Sequence, residues 1–447
     1  MSTATTQRVT AAFRTGPLAV RSFRLLAGGQ FASTIGDYCY AIALPWLVLS
    51  NHGSTVLLGI VLACYGVPRT VLIPIGGVLA DKFGPRTLML FADVMRCVLA
   101  GVLTFLAARH TASLVTLGPT AALIGAGEGL FLPASYAIMP SLLDDARLAA
   151  GNALSSAAVQ VGSLIGPALG GALVATTGAS TAAMGVDAAS FAVSAVSLAL
   201  IPRRAAAGSM TGDSMTRDSM TGDSAEAADS AAAAERDSTA EPADQQQGVL
   251  AFLRQSRALQ VIIVVVIAAN LTSGGMGEVA LPALAHAHWG AGGYGVLLVC
   301  MAAGAVIGAL AAARAGRLRA PAVVASVAFL IESSAVCLVP YLGGEAGAAI
   351  ALLVFGLFNG LGNVIFLTMA QKHIPSAILG RVMGVMMLCA FGMFPLSVAI
   401  SGVLVRHLGP APFFLIAGAV VVAAILGGLT QREFRDFGRR EPPPVLN

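Results

Sequence analysis

The chain is poor in charge. Only 11% of its 447 residues are Asp, Glu, Lys or Arg, against roughly 25% in a soluble globular domain. A water-soluble chain so poor in charge cannot cover its own surface, which excludes a soluble fold. Lysine is nearly missing, with only Lys82 and Lys372. A phosphate-binding P-loop needs a lysine followed by Ser or Thr. Here Lys82 precedes Phe83 and Lys372 precedes His373, so no ATP site of that kind is encoded. Energy for uphill work must come from an ion gradient or a separate subunit. Cysteine is scattered singly (Cys39, Cys64, Cys97, Cys300, Cys337, Cys389) with no CxxC or metal-ligand spacing, the pattern of small reduced hydrophobes. His286 and His288 form an H-x-H pair, too little for a metal site. No Ser/His/Asp or Cys/His grouping points to an enzyme. No cofactor, metal or nucleic-acid partner is expected.

What the chain has is apolar length. Hydrophobic residues make up 57% of it, and Leu25–Ser50, Val56–Ala80 and Val261–Ala285 are typical blocks. Each exceeds the ~20 residues needed to cross a hydrocarbon core of ~30 Å. Twelve helices are predicted, near 24–50, 55–80, 87–108, 117–142, 149–176, 180–201, 258–285, 292–313, 320–341, 346–370, 380–404 and 411–430. Of 26 Lys and Arg residues, Arg69 and Arg96 fall inside helices and Arg109 and Arg406 in odd-numbered loops, while the rest gather in the tails and even-numbered loops. Positive residues stay on the cytoplasmic side, which puts both termini in the cytoplasm. The scarcity of lysine suggests a GC-rich bacterial genome, so the expected location is a bacterial inner membrane. The first apolar segment, behind Arg8, Arg14, Arg21 and Arg24, is too long for a signal-peptide core and is expected to stay as helix 1.

Residues 203–248 break the pattern. They are rich in Ala, Ser, Asp and Glu and carry SMTGD, SMTRD and SMTGD in succession from Ser209 to Asp223. Such a segment buries too little apolar surface to offset its ordering entropy and reads as a disordered cytoplasmic linker. The expected organisation is a tail over 1–23, six helices over 24–202, the linker, six helices over 249–430 and a tail over 431–447. The halves echo each other: Ala43-Leu44-Pro45 in helix 1 answers Ala280-Leu281-Pro282 in helix 7, and Pro167 before Gly170 and Gly171 answers Pro395 before Gly402. Duplicated halves place a binding cavity at their interface near the midplane and expose it alternately by rocking.

Between helices 2 and 3 runs Gly77-Val-Leu-Ala-Asp81-Lys82-Phe-Gly84-Pro85-Arg86. It resembles the signature loop of the major facilitator superfamily, departing at Pro85, where that family usually has a basic residue. Gly77 would permit close helix approach and Gly84 a tight turn. Asp81 at a membrane boundary needs a positive partner or a helix N-terminus. The resemblance implies an all-α membrane fold of two six-helix bundles, with Asp81, Lys82 and Arg86 latching the halves on the cytoplasmic side. In helix 5, Gly162-Ser-Leu-Ile-Gly166-Pro167-Ala-Leu-Gly170-Gly171 is similar to an element of proton-coupled drug antiporters in that superfamily. Glycines four apart allow close packing, and Pro167 removes a backbone hydrogen bond.

Ionisable residues inside a membrane cost at least ~2.5 kcal/mol each and are functional candidates by default. Asp37, Arg69 and Glu128 fall at similar depth near the middles of helices 1, 2 and 4. Burial disfavours a charged carboxylate and a nearby guanidinium favours it, so Asp37 or Glu128 is a candidate proton carrier with Arg69 responding to its charge. A permanent structural ion pair is the competing reading. Asp93 and Arg96, three apart on helix 3, fit a local pair. Asp187 opens a small-residue face of helix 6, near its outer end. Glu278 and Glu332 are second-tier candidates. Gln30, Asn270, Asn359 and Asn363 are candidates for the substrate cavity or for interhelical glue. Gly125-Ala-Gly127-Glu-Gly129 lies mid-helix, where packing explains it better than nucleotide binding.

Further stretches, Leu25 to Asp37, Phe131-Leu-Pro-Ala-Ser, Arg147 to Leu154 and Gly380-Arg381-Val-Met-Gly384, resemble bacterial facilitators that export macrolides, tetracyclines, other drugs and siderophores. The implied function is export of an amphipathic small molecule in exchange for protons, by a monomer in the bilayer. An importing symporter on the same fold is the alternative, and a membrane enzyme or receptor a remote one.

Overall fold

The computed structural model describes residues 16–202 and 256–436, apart from Gly53, His110, Ala112 and the stretches 315–319 and 374–375. The 203–248 linker with its repeat, and most of both tails, lie outside the described residues, as do the side chains of 370–387.

Among the described residues, twelve helices are long and apolar enough to cross a membrane. They are α1 Arg21–His52, α2 Thr55–Phe83, α3 Pro85–Ala108, α4 Leu114–Ala137, α5 Asp145–Thr177 and α6 Thr181–Ala199. Then come α7 Arg257–His288, α8 Gly290–Arg314, α9 Pro321–Leu338, α10 Gly344–His373, α11 Ser376–Leu408 and α12 Pro410–Thr430. No strand occurs among the described residues. Local chemistry marks the starts. The side chains of Ser54, Asp144 and Ser256 accept hydrogen bonds from the backbone of Leu57, Arg147 and Leu259 at the first turns of α2, α5 and α7. Proline opens α3, α9 and α12, where its missing N–H is not needed. Apolar stripes face outward at helical spacing, Val67, Val71, Ile75 and Val78 on α2 and Phe91, Val94, Val98, Val102 and Phe105 on α3. In water such faces would be a liability; against lipid tails they are solvated.

The packing repeats itself. α2 lies on α4, α3 on α6, and α1 on α5 and α6; shifted by six helices, α8 lies on α10, α9 on α12, and α7 on α11 and α12. The two bundles meet along α2–α11 and α5–α8, which exchange under the same shift. Each seam has its own glycine pair. A Cβ on Gly402 would lie 3.2 Å from the Cα of Gly59, and one on Gly295 would lie 3.1 Å from the Cα of Gly171. Only paired glycines let the backbones come this close.

Both pairs sit at the end of the molecule that carries the α1–α2 and α5–α6 turns. One continuous core joins the bundles at that end, including Leu44, Leu58, Leu281, Tyr294, Val398 and Phe414. There too the His286 ring of α7 stacks 4.7 Å from Trp46 and hydrogen-bonds Ser50 at 3.3 Å. At the opposite end a separate core, with Phe23, Met89, Ile138 and Leu198, belongs to the first bundle alone. Among the described residues, the buried core shared by the two bundles lies at the first of these ends.

α7 is not continuous. The Ser397 hydroxyl of α11 accepts from the Gly275 N–H (2.8 Å) and donates to the Leu271 carbonyl (2.6 Å), so one side chain from α11 bonds both ends of this helical turn. A π-helical turn follows over Met276–Ala280. Pro282 then has no N–H for the Gly277 carbonyl five residues back, and the buried Tyr294 hydroxyl donates to that carbonyl at 3.4 Å. Inserted side chains and prolines of this kind bend helices.

Candidate functional site

The ionisable residues of the first bundle converge on Arg69. Its guanidinium pairs with Glu128 of α4 at 3.0 Å, and the Tyr65 hydroxyl donates to the other oxygen of the same carboxylate. The glycines around Glu128 make this possible. Gly125 packs directly on the Tyr65 backbone, and a Cβ on Gly129 would lie 3.1 Å from the Arg69 Cα. Residue 128 is therefore pressed against α2 one turn along from Tyr65. Arg69 also lies 5.2 Å from the Phe391 ring of α11, in the other bundle.

Asp37 of α1 is exposed to the interior space and makes no hydrogen bond or ion pair among the described residues. It lies within electrostatic reach of Arg69 and Arg96. Glu278, on the π-helical turn of α7, is within reach of Arg69 as well. Arg69 is thus in contact with one carboxylate and within electrostatic reach of two more, one of them from the opposite bundle.

Asp93 and Arg96 pair locally at 2.5 Å, both buried. Ser194 of α6 donates to the second Asp93 oxygen at 2.5 Å, and Arg96 sits over the Phe131 and Phe191 rings at 4.6 and 4.3 Å. This is a closed network that ties α3, α4 and α6 together. Asp187 is buried to 1% exposure, its Oδ1 without a partner.

In the second bundle a cavity of about 470 Å³ lies between α7, α9, α10 and α12, within the usual range of ~300–1,000 Å³ for ligand pockets. Asn270, Asn359 and Asn363 line it, together with Glu332, Ser326 and Ser333. Asn359 donates to Glu332 Oε1 at 2.9 Å; Asn270 and Asn363 turn their amides onto backbone carbonyls of Val266 and Asn359. Gln30 and Glu278 do not line this cavity.

In the signature loop, Gly84 links α2 to α3 at φ 82°, a conformation open to glycine, and Pro85 is the first residue of α3. Asp81 and Lys82 are exposed, and Asp81 makes no ion pair among the described residues. Arg86 donates to the Leu198 and Ala199 carbonyls at 2.9 and 2.8 Å, closing the C-terminus of α6 in its own bundle. Close approach occurs one residue from where the sequence suggests it. A Cβ on Gly76 would meet the Gly129 carbonyl at 2.9 Å, whereas Gly77 has nothing within 4 Å. In α5, Gly162, Gly166 and Gly170 press on Thr34, Ile35 and Cys39 of α1, while Gly171 and the Pro167 carbonyl meet Gly295 of α8.

Several contributors carry no sequence signal of their own: Tyr65, Thr70, Phe391 and Ser397 are ordinary residues in apolar helices. Only the prolines beside two of them, Pro68 and Pro395, mark the backbone as irregular there.

Twelve spanning helices in two related bundles, with charged groups gathered between them, define a secondary transporter. The family model for the Major Facilitator Superfamily matches residues 26–397, and the chain belongs to that family. It is a multi-pass transporter of the bacterial inner membrane, not an enzyme. Among its relatives, the multidrug efflux pump Tap of Mycobacterium tuberculosis is 26% identical over 92% of this chain and 94% of that protein. The enterobactin exporter EntS of Citrobacter koseri is 24% identical over 95% and 94%. Among solved structures, the nucleoside transporter NupG aligns with a TM-score of 0.63 at 12% identity, covering 92% of this chain and 98% of that one. A POT family peptide transporter in complex with sulfate gives 0.67 at 16% identity, covering 92% and 94%. At these identities the solved structures speak to the fold alone.

Proposed function

We propose that this protein exports an amphipathic small molecule in exchange for protons, by alternating access between the two bundles. The observation that carries the reading is the Arg69–Glu128 pair at 3.0 Å, with Asp37 and Glu278 within electrostatic reach of the same guanidinium. Protonating one carboxylate frees Arg69 to turn toward another, and Glu278 belongs to the bundle that must move. Arg69 also touches that bundle through Phe391. A proton taken up by Asp37 or Glu128 is in this way felt at the α2–α11 seam.

The charge distribution supports placing both termini, the 1–23 and 431–447 tails and the 203–248 linker in the cytoplasm. The end at which the bundles share a buried core then faces outward. The glycines of α5 hold the seam that rocks. Asp81 and Lys82 serve as a latch when the cytoplasmic end closes, and Arg86 braces that loop against α6. The working unit is a monomer. Similarity to Tap and EntS favours export over uptake.

The test is susceptibility to a panel of drugs and dyes in an efflux-deficient bacterial host, with and without a protonophore. Protonophore-sensitive export, lost in Asp37→Asn or Glu128→Gln, is expected. Gradient-driven accumulation would instead make the protein an importer.

A further inference from the structure

The cavity of the second bundle contains a carboxylate whose needs the protein itself leaves unmet. Glu332 Oε1 accepts a hydrogen bond from Asn359 at 2.9 Å, while Oε2 is inaccessible and has no partner. No Lys, Arg or His is among the described residues that line the cavity. A carboxylate in apolar surroundings is costly unless it is paired. The remaining walls are mostly apolar, with the Phe329 and Phe355 rings among them, and aromatic faces attract cations. The helices around it pack closely on glycine: a Cβ on Gly362 would meet the Phe329 ring at 2.7 Å, and one on Gly418 would meet the Ser333 carbonyl at 2.7 Å.

We propose that this cavity binds a lipophilic organic cation, with Glu332 as its counter-charge and Asn359 fixing the carboxylate. A volume of about 470 Å³ suits a drug-sized molecule and is far more than a bare ion needs. A quaternary centre rests between the rings and the carboxylate. An anionic ligand meets the Glu332 charge at low dielectric and is rejected. The inference rests on the small-molecule export reading and narrows it, within amphipathic substrates, to cations rather than acidic chelators.

The experiment is equilibrium binding of radiolabelled tetraphenylphosphonium to the purified full-length protein in lipid nanodiscs, with no gradient. Neutral triphenylphosphine oxide is the comparison probe. The expected result is saturable binding that prefers the cation, weakened at least tenfold by Glu332→Gln and less by Glu332→Asp, with the neutral probe bound equally by wild type and Glu332→Gln. Equal tetraphenylphosphonium affinity in wild type and Glu332→Gln overturns the proposal. Should Glu332→Gln fail to fold, wild type still decides: equal affinity for cation and neutral probe, or no saturable binding of the cation, overturns it. Glu332-dependent cation binding without any export in cells would sink the export reading and leave the site standing.

Discussion

Thr70 of α2 donates a hydrogen bond at 3.1 Å to the Phe391 carbonyl of α11, the very carbonyl that Pro395 deprives of its helical partner four residues on. The contact crosses between the bundles, one residue from Arg69, so the ion pair and the seam are mechanically adjacent. Replacing Thr70 by Val keeps the shape and removes the donor, leaving the carbonyl unsatisfied at a cost of about 1–3 kcal/mol. A lower melting temperature in detergent and a severalfold loss of efflux are expected, with Thr70→Ser restoring both. Wild-type behaviour of Thr70→Val in both assays would remove the seam from the mechanism.

The glycine pairs of the two seams are predicted to be equivalent. A Cβ on Gly295 lies 2.7 Å from the Pro167 carbonyl, and one on Gly402 lies 2.7 Å from the Thr55 carbonyl. Backbone cannot yield locally as a side chain can, so each substitution to Ala forces its seam apart. Gly295→Ala and Gly402→Ala should each lower efflux at least tenfold at normal expression. Gly101→Ala, where nothing lies within 4 Å, should not. Unequal responses of the two seams would contradict their equivalence.

The Asp93–Arg96 pair is predicted to hold structure rather than carry protons. Removing Arg96 alone strands a buried carboxylate, which typically costs about 3–5 kcal/mol. Arg96→Ala should therefore lose thermal stability and expression, and the double variant with Asp93→Ala should recover part of it. The check is a double-mutant cycle of melting temperatures. Additive losses would show that the two side chains do not act as a pair.

Ser397 ties α11 to the α7 backbone at Leu271 and Gly275. Ser397→Ala removes both bonds beside the Glu278 turn. Transport kinetics should show a lower maximal rate at unchanged KM. A raised KM at unchanged maximal rate would assign Ser397 to ligand binding instead.

Depth in the membrane was legible in the sequence; rotation about each helix axis was not. The apolar blocks gave twelve spans, and Arg69 and Glu128 were visible as charges at one level. Nothing in the spacing revealed that Tyr65 would complete their pair, because partners 63 residues apart are joined only by how α2 and α4 turn toward each other. The same blindness to rotation separates Gly76, which packs, from Gly77, which does not. Asn270, Asn359 and Asn363 could be named as polar residues in apolar helices, yet which of them meets Glu332 depends on α9 and α10 being neighbours. The break in α7 was half legible: Pro282 announces it, but the inserted hydroxyl arrives from α11.

The most direct test of the central claim is proton movement itself. Purified protein in liposomes enclosing a pH-sensitive dye is given an exported substrate identified in the susceptibility panel. The account predicts that substrate drives a counter-flow of protons, abolished in Asp37→Asn or Glu128→Gln while both variants remain folded. Substrate-driven proton flux that persists in both variants would contradict it.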